Sequence, residues 1–393
     1  MGTLIGSIKN KTVTGWQVPT IFDSADSGDW DALQKLIKSG EVAEAHDEIR
    51  LALDELFDIE NPAQKDTKTE AQLTEFAHDA GGGNLDRYGC WVYYPWDKRL
   101  VHFPPRDDLR KLRTSRNRNL VTTAEQAQLY ASTICVLGMS VGSNVVEALV
   151  SGGIGGRLVL ADMDHLEPSN LNRIRAPYHH VGLHKVDAIA RKISEIDPFI
   201  EQVHYRSGLN DEALAEIVAT HKPDVFVDEM DDVRMKLKLR IAAKAAKLPV
   251  IMAADDGDDI LVYVERHDLE TDAPLMQGLV PDEVIDRILT GAPMSRTELG
   301  FVIGKFIIGF ENVPLRMLES LFEVGKSLPS WPQLGGAAAF SGISMAYAAK
   351  RIITKAPLNS GRHHISLDEP LNPEIKTKAY VDKLSGIINK FSS

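Results

Sequence analysis

From Thr133 onward, short apolar runs alternate with longer stretches in which apolar residues recur every three or four positions. TICVL, RLVLA, QVHY, DVFVD and PVIMA read as strands. Between them the spacing predicts helices starting at Ser143, spanning Lys185–Ile196, near Leu214, and over 234–247. Strict alternation of strand and helix predicts a parallel, doubly wound sheet, because each return to the same sheet edge takes a helix's length of chain. The strand candidate DILVYVERHDL follows, and then a stretch over 271–332 in which no helix can be placed from its pattern. Gly335–Ile353 resumes as a helix with Gly, Ala and Ser recurring on one side, a composition that lets two helices approach closely, and HHISL follows as a strand.

Upstream, Trp30, Leu33 and Ile37, then Val42, Ile49, Leu53 and Leu56, predict two amphipathic helices within 29–57. The polar segment 61–74, with Pro62, reads as a surface connection, and Gly81, Gly82, Gly83 and Asn84 read as a loop. CWVYYPW and RLVHF, around a charged turn at Asp97 and Lys98, predict a β-hairpin. Thr122 with Glu125 fits a capping box opening a helix. The expected organisation is a small α+β appendage over 1–109, a Rossmann-like α/β domain with a mainly parallel sheet over 110–368, and a tail over 369–393.

Composition narrows the functional classes. With 393 residues, 44% of them hydrophobic, two or three units with ordinary cores are expected. The formal charge of −12 argues against non-specific binding to nucleic acid, which needs a cationic surface. Only Cys90 and Cys135 occur, so no disulfide framework is expected and a reducing cytoplasm fits. The start MGTLIGSIKNK lacks a secretory apolar run, and no stretch of about 18 apolar residues occurs, so neither export nor membrane spanning is expected.

The first strand of the α/β unit ends in Gly138-Met139-Ser140-Val141-Gly142-Ser143 and passes straight into a helix, whose N–H groups and dipole suit a phosphate. Asp162 ends the next strand, 20 residues beyond Gly142, where a carboxylate reaches ribose hydroxyls in nucleotide-binding folds. These features admit either a dinucleotide or ATP. The run DMDHLEPSNLNR, from Asp162 to Arg173, then Lys185 within VGLHK, and DEMDD with Asp231 and Asp232, together resemble the ThiF/ubiquitin-activating family of adenylating enzymes. The resemblance covers about 113–267, and more faintly Gly335–Ile353 with HHISL.

That resemblance implies ATP and Mg²⁺ as ligands and adenylation of a carboxylate as the reaction. It implies nucleotide contacts from Gly138, Ser140, Gly142, Asp162, Asp164, Asn170, Arg173, Lys185 and Asp232, with Asp231 as the metal ligand. Arg116 and Arg118 occupy the place of an arginine that reaches across a homodimer to the partner's nucleotide, so they join Arg173, Lys185 and Asp231 as expected catalytic residues. The implied substrate is a small protein's C-terminus or a small acid, with no membrane and no strong case for nucleic acid as partner. The chain departs from the family pattern at the loop, where GMSVGS replaces the usual G-x-G-G-x-G and Ser140 limits how closely backbone approaches phosphate. It also lacks the acceptor cysteine of conjugating members and the paired zinc-binding C-x-x-C motifs of smaller ones. A nicotinamide or flavin oxidoreductase, or a non-catalytic nucleotide-binding scaffold, are the alternatives. His179, His180, His184, His363 and His364 lack partners at ligand spacing. The cluster Asp255, Asp256, Asp258 and Asp259 reads first as a solvated turn, and second as a site for another metal or a basic substrate tail.

Overall fold

The computed structural model describes residues 15–392, so the MGTLIGSIKNK start lies outside the described residues. These residues form two compact units. The first comprises the described chain up to Ala127 together with Val150–Gly153 and Ala190–Ile200; the second takes in Gln128–Leu149, Ile154–Ile189 and the chain from Glu201 onward.

In the first unit the elements run β1 (Thr20–Asp23), α1 (Ser27–Ser39), β2 (Glu44–His46), α2 (Ile49–Glu60), α3 (Glu70–Ala80), β3 (Cys90–Tyr94), β4 (Arg99–Phe103) and α4 (Arg106–Thr114), with α5 (Thr123–Ala131) leading onward. The strands form one sheet in the order β1-β3-β4-β2. The hairpin pairs Cys90 with Phe103 and Tyr94 with Arg99, as the aromatic pattern predicts. Because side chains alternate along a strand, Tyr93 packs with Phe22, Leu33 and Leu100, while Cys90, Val92 and Tyr94 pack with Phe103 and Leu109. The expected connection over 61–74 is cut short by α3. Thr69 and Gln72 form a capping box that starts this helix, and Leu73 and Ala77 bury its apolar side. At four and three residues, β1 (TIFD) and β2 (EAH) are too short for an alternating pattern to mark them as strands.

The second unit continues through β5 (Thr133–Leu137), α6 (Gly142–Ser151), β6 (Arg157–Ala161), α7 (Lys185–Ile196), β7 (Glu201–Tyr205), α8 (Asp211–Glu216), β8 (Val225–Asp228), α9 (Val233–Ala246), β9 (Val250–Asp256) and β10 (Asp259–Glu265). After these come α10 (Asp282–Leu289), α11 (Arg296–Val302), α12 (Leu315–Leu321), α13 (Gly335–Ile353), β11 (Gly361–Ile365), α14 (Asp368–Leu371) and α15 (Lys378–Ser392). The sheet order is β11-β10-β9-β8-β5-β6-β7. Strands β5 to β9 pair in parallel, whereas β10 and β11 are antiparallel. The reversal follows from the turn Gly257-Asp258, with Gly257 at φ +66°, which is far too short for a parallel crossover.

Near-continuous apolar strands supply the core, as burial on both faces requires: Cys135, Leu137, Val159 and Phe226 pack with Leu239 and Ala243 of α9. On the extension, Met252, Leu261 and Tyr263 pack beneath Ile285 and Ile288 of α10. Helix α13 packs on β8, β9 and β10. A Cβ at its Gly342 would lie 2.6 Å from the backbone of Asn144, so the small-residue side seats this helix against α6. Beyond 368 the chain is helical, and Ile387 of α15 buries against Leu315, Met317 and Leu318.

Candidate functional site

The turn after β5 needs glycine at one place for backbone reasons. Gly138 has φ +90°, and a Cβ there would sit 2.3 Å from the Glu229 carbonyl oxygen. Gly142 opens α6, where a Cβ would come 3.1 Å from a Val136 methyl. Ser140 does not adopt a left-handed backbone. Its hydroxyl accepts from Arg173 Nε at 2.9 Å, and its carbonyl accepts the Ser143 hydroxyl at 2.8 Å. Asp162, at the end of β6, ties the turn down. Its Oδ2 accepts the Met139 N–H at 2.6 Å and its Oδ1 the Asp164 N–H at 2.7 Å.

The DMDHLEPSNLNR run folds over this turn. Asn170 is buried, and its Oδ1 accepts the Glu167 N–H at 3.0 Å, so it shapes the short helical turn Pro168–Asn172. Arg173 is held at Nε by Ser140 and at Nη1 by Asn172 Oδ1, 3.0 Å away. No hydrogen bond to its Nη2 occurs among the described residues, which leaves two N–H donors for an incoming anion. Lys185 Nζ lies 2.8 Å from Asp164 Oδ2, with the lysine side chain only 10% exposed and the aspartate 62% exposed. Asp231 is exposed just after β8. Asp232 caps α9, accepting the Arg234 and Met235 N–H groups at 2.9 and 3.1 Å. Arg116 and Arg118 are exposed residues of the first unit.

Sequence reasoning missed the residues that brace this arrangement. The Gln333 carbonyl accepts Asn172 Nδ2 at 2.8 Å, and its amide Nε2 donates to Asp255 Oδ1 at 3.5 Å. At Gly335 a Cβ would lie 2.1 Å from the Asn172 carbonyl oxygen. Burial pushes the Asp255 carboxyl up, and the Gln333 hydrogen bond and the Arg173 charge pull against it. Glu229, whose Oε1 accepts the Ala253 N–H at 3.0 Å, is also pushed well up by burial. Asp228, the first residue of DEMDD, is fully buried and bonds Lys236 at 3.1 Å and Arg240 at 2.6 Å, and Arg240 reaches Glu265 at 2.9 Å. Burial drives the Asp228 carboxyl up, yet the two cations outweigh it and hold it below the usual carboxylate range.

The acidic cluster is not the solvated turn expected first. Only Asp258 is exposed, while Asp256 and Asp259 face each other across the hairpin, 1% and 6% exposed. His364 Nε2 lies 3.1 Å from Asp259 Oδ2. Neither Asp256 oxygen has a hydrogen-bond partner among the described residues, and burial followed by repulsion from Asp259 and Asp255 pushes its carboxyl up to about 7. No group of three or more His, Cys, Asp or Glu among the described residues could hold a metal ion by itself. Both cysteines are buried; burial and then the Asp23 charge push the Cys90 thiol up to about 12, and burial raises Cys135 as well.

A left-handed glycine turn between strand and helix, a strand-end carboxylate and a braced arginine beside it are set on a Rossmann-like domain. Residues 114–259, within this α/β domain, match the ThiF family model. An uncharacterized protein of Mycobacterium tuberculosis is 35% identical over 73% of this chain and 39% of its own length. The tRNA threonylcarbamoyladenosine dehydratase of Escherichia coli is 33% identical over 34% of this chain and 50% of its own. The molybdopterin-synthase adenylyltransferase of the same organism is 31% identical over 33% and 51%. The chain thus spans between two fifths and about half of the length of these relatives. No helix among the described residues is long and apolar enough to cross a membrane.

Proposed function

We propose that this chain binds ATP with Mg²⁺ and adenylates a carboxylate, either the C-terminus of a small carrier protein or a small acid, as a homodimer. One observation carries the reading: Arg173 is fixed on two of its nitrogens beside the glycine turn while Nη2 stays open, an arrangement that suits a phosphate oxygen. The remaining residues fit the nucleotide. The turn supplies N–H groups at a helix N-terminus, Asp162 keeps lone pairs for ribose hydroxyls, and Lys185 adds a cation. Asp231, an exposed hard oxygen donor, is the residue to hold Mg²⁺, which would neutralise phosphate charge.

In this reading the substrate carboxylate attacks the α-phosphorus and pyrophosphate leaves. Arg173 and Lys185 absorb the growing charge, and Arg116 and Arg118 are lent by the partner subunit. No side-chain base is required, since a carboxylate is already ionised at neutral pH. The buried thiols support a reaction without a thioester on this protein, the acyl-adenylate passing to an external nucleophile. A molybdopterin-synthase adenylyltransferase among the relatives supports the same reaction class. The test pairs thermal unfolding with carboxylate-dependent pyrophosphate exchange. Mg·ATP should raise the melting temperature where NAD does not, and Asp231→Ala should abolish exchange without unfolding the protein. Equal shifts with both nucleotides, or full exchange by Asp231→Ala, would overturn the proposal.

A further inference from the structure

We propose that Ser140 is a positioning residue for Arg173, its hydroxyl taking the place of backbone freedom in this loop and aiming the guanidinium at phosphate. The inference rests on the nucleotide reading above. Three observations lead to it. First, Gly138 is the residue of this turn whose backbone demands glycine, so a side chain at 140 costs the loop nothing. Second, the Ser140 hydroxyl is turned onto Arg173 Nε at 2.9 Å, and Ser143 donates to the Ser140 carbonyl at 2.8 Å, which fixes the residue that carries the hydroxyl. Third, Arg173 is fixed from its other sides too. Its own carbonyl accepts Asn144 Nδ2 at 2.9 Å, and Asn172, which accepts from Nη1, is itself tied to the Gln333 carbonyl at 2.8 Å.

A guanidinium presents five N–H groups in one plane, so anchoring Nε and one edge of Nη1 fixes that plane and the direction of the Nη2 donors. Without the hydroxyl, Nε–H would need another acceptor and the fork could rotate. The rotamer freedom removed in advance by Ser140 is freedom that phosphate binding would otherwise have to remove.

The experiment is a double-mutant cycle read in Mg·ATP affinity by calorimetry, which needs no acceptor substrate. Ser140→Gly should weaken binding about tenfold, the scale of one hydrogen bond to a charged group. Ser140→Thr, which keeps the hydroxyl, should restore it. Arg173→Lys, which has no fork to orient, should weaken binding by a similar factor, and adding Ser140→Gly to it should weaken it no further. Melting temperatures of all four proteins establish that they are folded. Multiplicative losses in the double variant, or no rescue by threonine, would overturn the positioning role while leaving the adenylation reading intact. Failure of the unsubstituted chain to bind Mg·ATP would overturn both.

Discussion

Arg240 shows how a buried charge can be tolerated. It is 1% exposed and sits between the Asp228 and Glu265 carboxylates, each at most 1% exposed, so two desolvated anions depend on one guanidinium, with Lys236 assisting at Asp228. Replacing such a group by an apolar residue removes the attraction but leaves the desolvation cost of its partners. Arg240→Leu should therefore destabilise the protein by about 3–5 kcal/mol in urea unfolding. A loss below about 1 kcal/mol would mean that Lys236 and solvent suffice for both carboxylates. None of this was legible in the sequence, where DEMDD pointed to Asp231 and Asp232 and gave Asp228 no role. Asp162 stood out in the sequence because it ends a strand, whereas Arg173 and Lys185 stood out only through the resemblance to the ThiF/ubiquitin-activating family. Gln333 was not, because it is 161 residues from the Asn172 it bonds and sits in a stretch without periodicity.

At the scale of elements, the β9–β10 hairpin holds an electrostatic conflict. Asp256 and Asp259 are buried opposite each other with one imidazole, His364, to share between them, while Asp255 adds negative charge near Asp256 and Glu369 near His364. The Asp256 carboxyl is pushed up to about 7, whereas in the unfolded chain it titrates near 4. The native state therefore keeps a proton that the unfolded state has lost. This contribution to stability is complete below pH about 4 and disappears as pH rises through about 7. His364, raised first by its hydrogen bond to Asp259, acts in the same direction, its share being lost as pH rises through its folded value. Asp256→Asn should flatten the fall in melting temperature between pH 5 and pH 8. An unchanged slope would place the titration elsewhere. The sequence revealed the hairpin's acidity but not its burial, because strand alternation turns Asp256 and Asp259 to one face, and what covers that face comes from the unpatterned stretch over 271–332. Elements with a strong signal of their own were legible for the opposite reason: α7 by the period of its apolar residues, and β5, β6, β8 and β9 by near-continuous apolar runs that require cover on both faces.

For the whole molecule, the expectation concerns assembly. Arg116 and Arg118 belong to one compact unit and Asp162, Arg173, Lys185 and Asp231 to the other, and our proposal gives the arginines to a partner subunit. Ile343 and Tyr347 lie one turn apart on α13 and are 61% and 50% exposed, an apolar face available to a two-fold axis. A subunit carrying Arg116→Ala and Arg118→Ala should complement one carrying Asp231→Ala, each inactive alone, because mixed dimers contain one intact composite site. Absence of any recovered exchange, with subunit mixing verified, would rule out donation in trans. The brace at Gln333 and Gly335 has a consequence of another kind, for the order in which the protein can be made. The ThiF match closes at residue 259, yet the segment that holds Asn172 and the helix that covers β9 and β10 begin more than 70 residues later. A nascent chain at residue 259 therefore carries Asp162, Arg173 and Lys185, with Ser140 and Asn172 to hold Arg173, but not the Gln333 carbonyl that ties Asn172 down or the helix that covers β9 and β10. Productive folding of this unit has to wait for the ribosome to deliver α13, and until then the hairpin's apolar strands are what a chaperone would find.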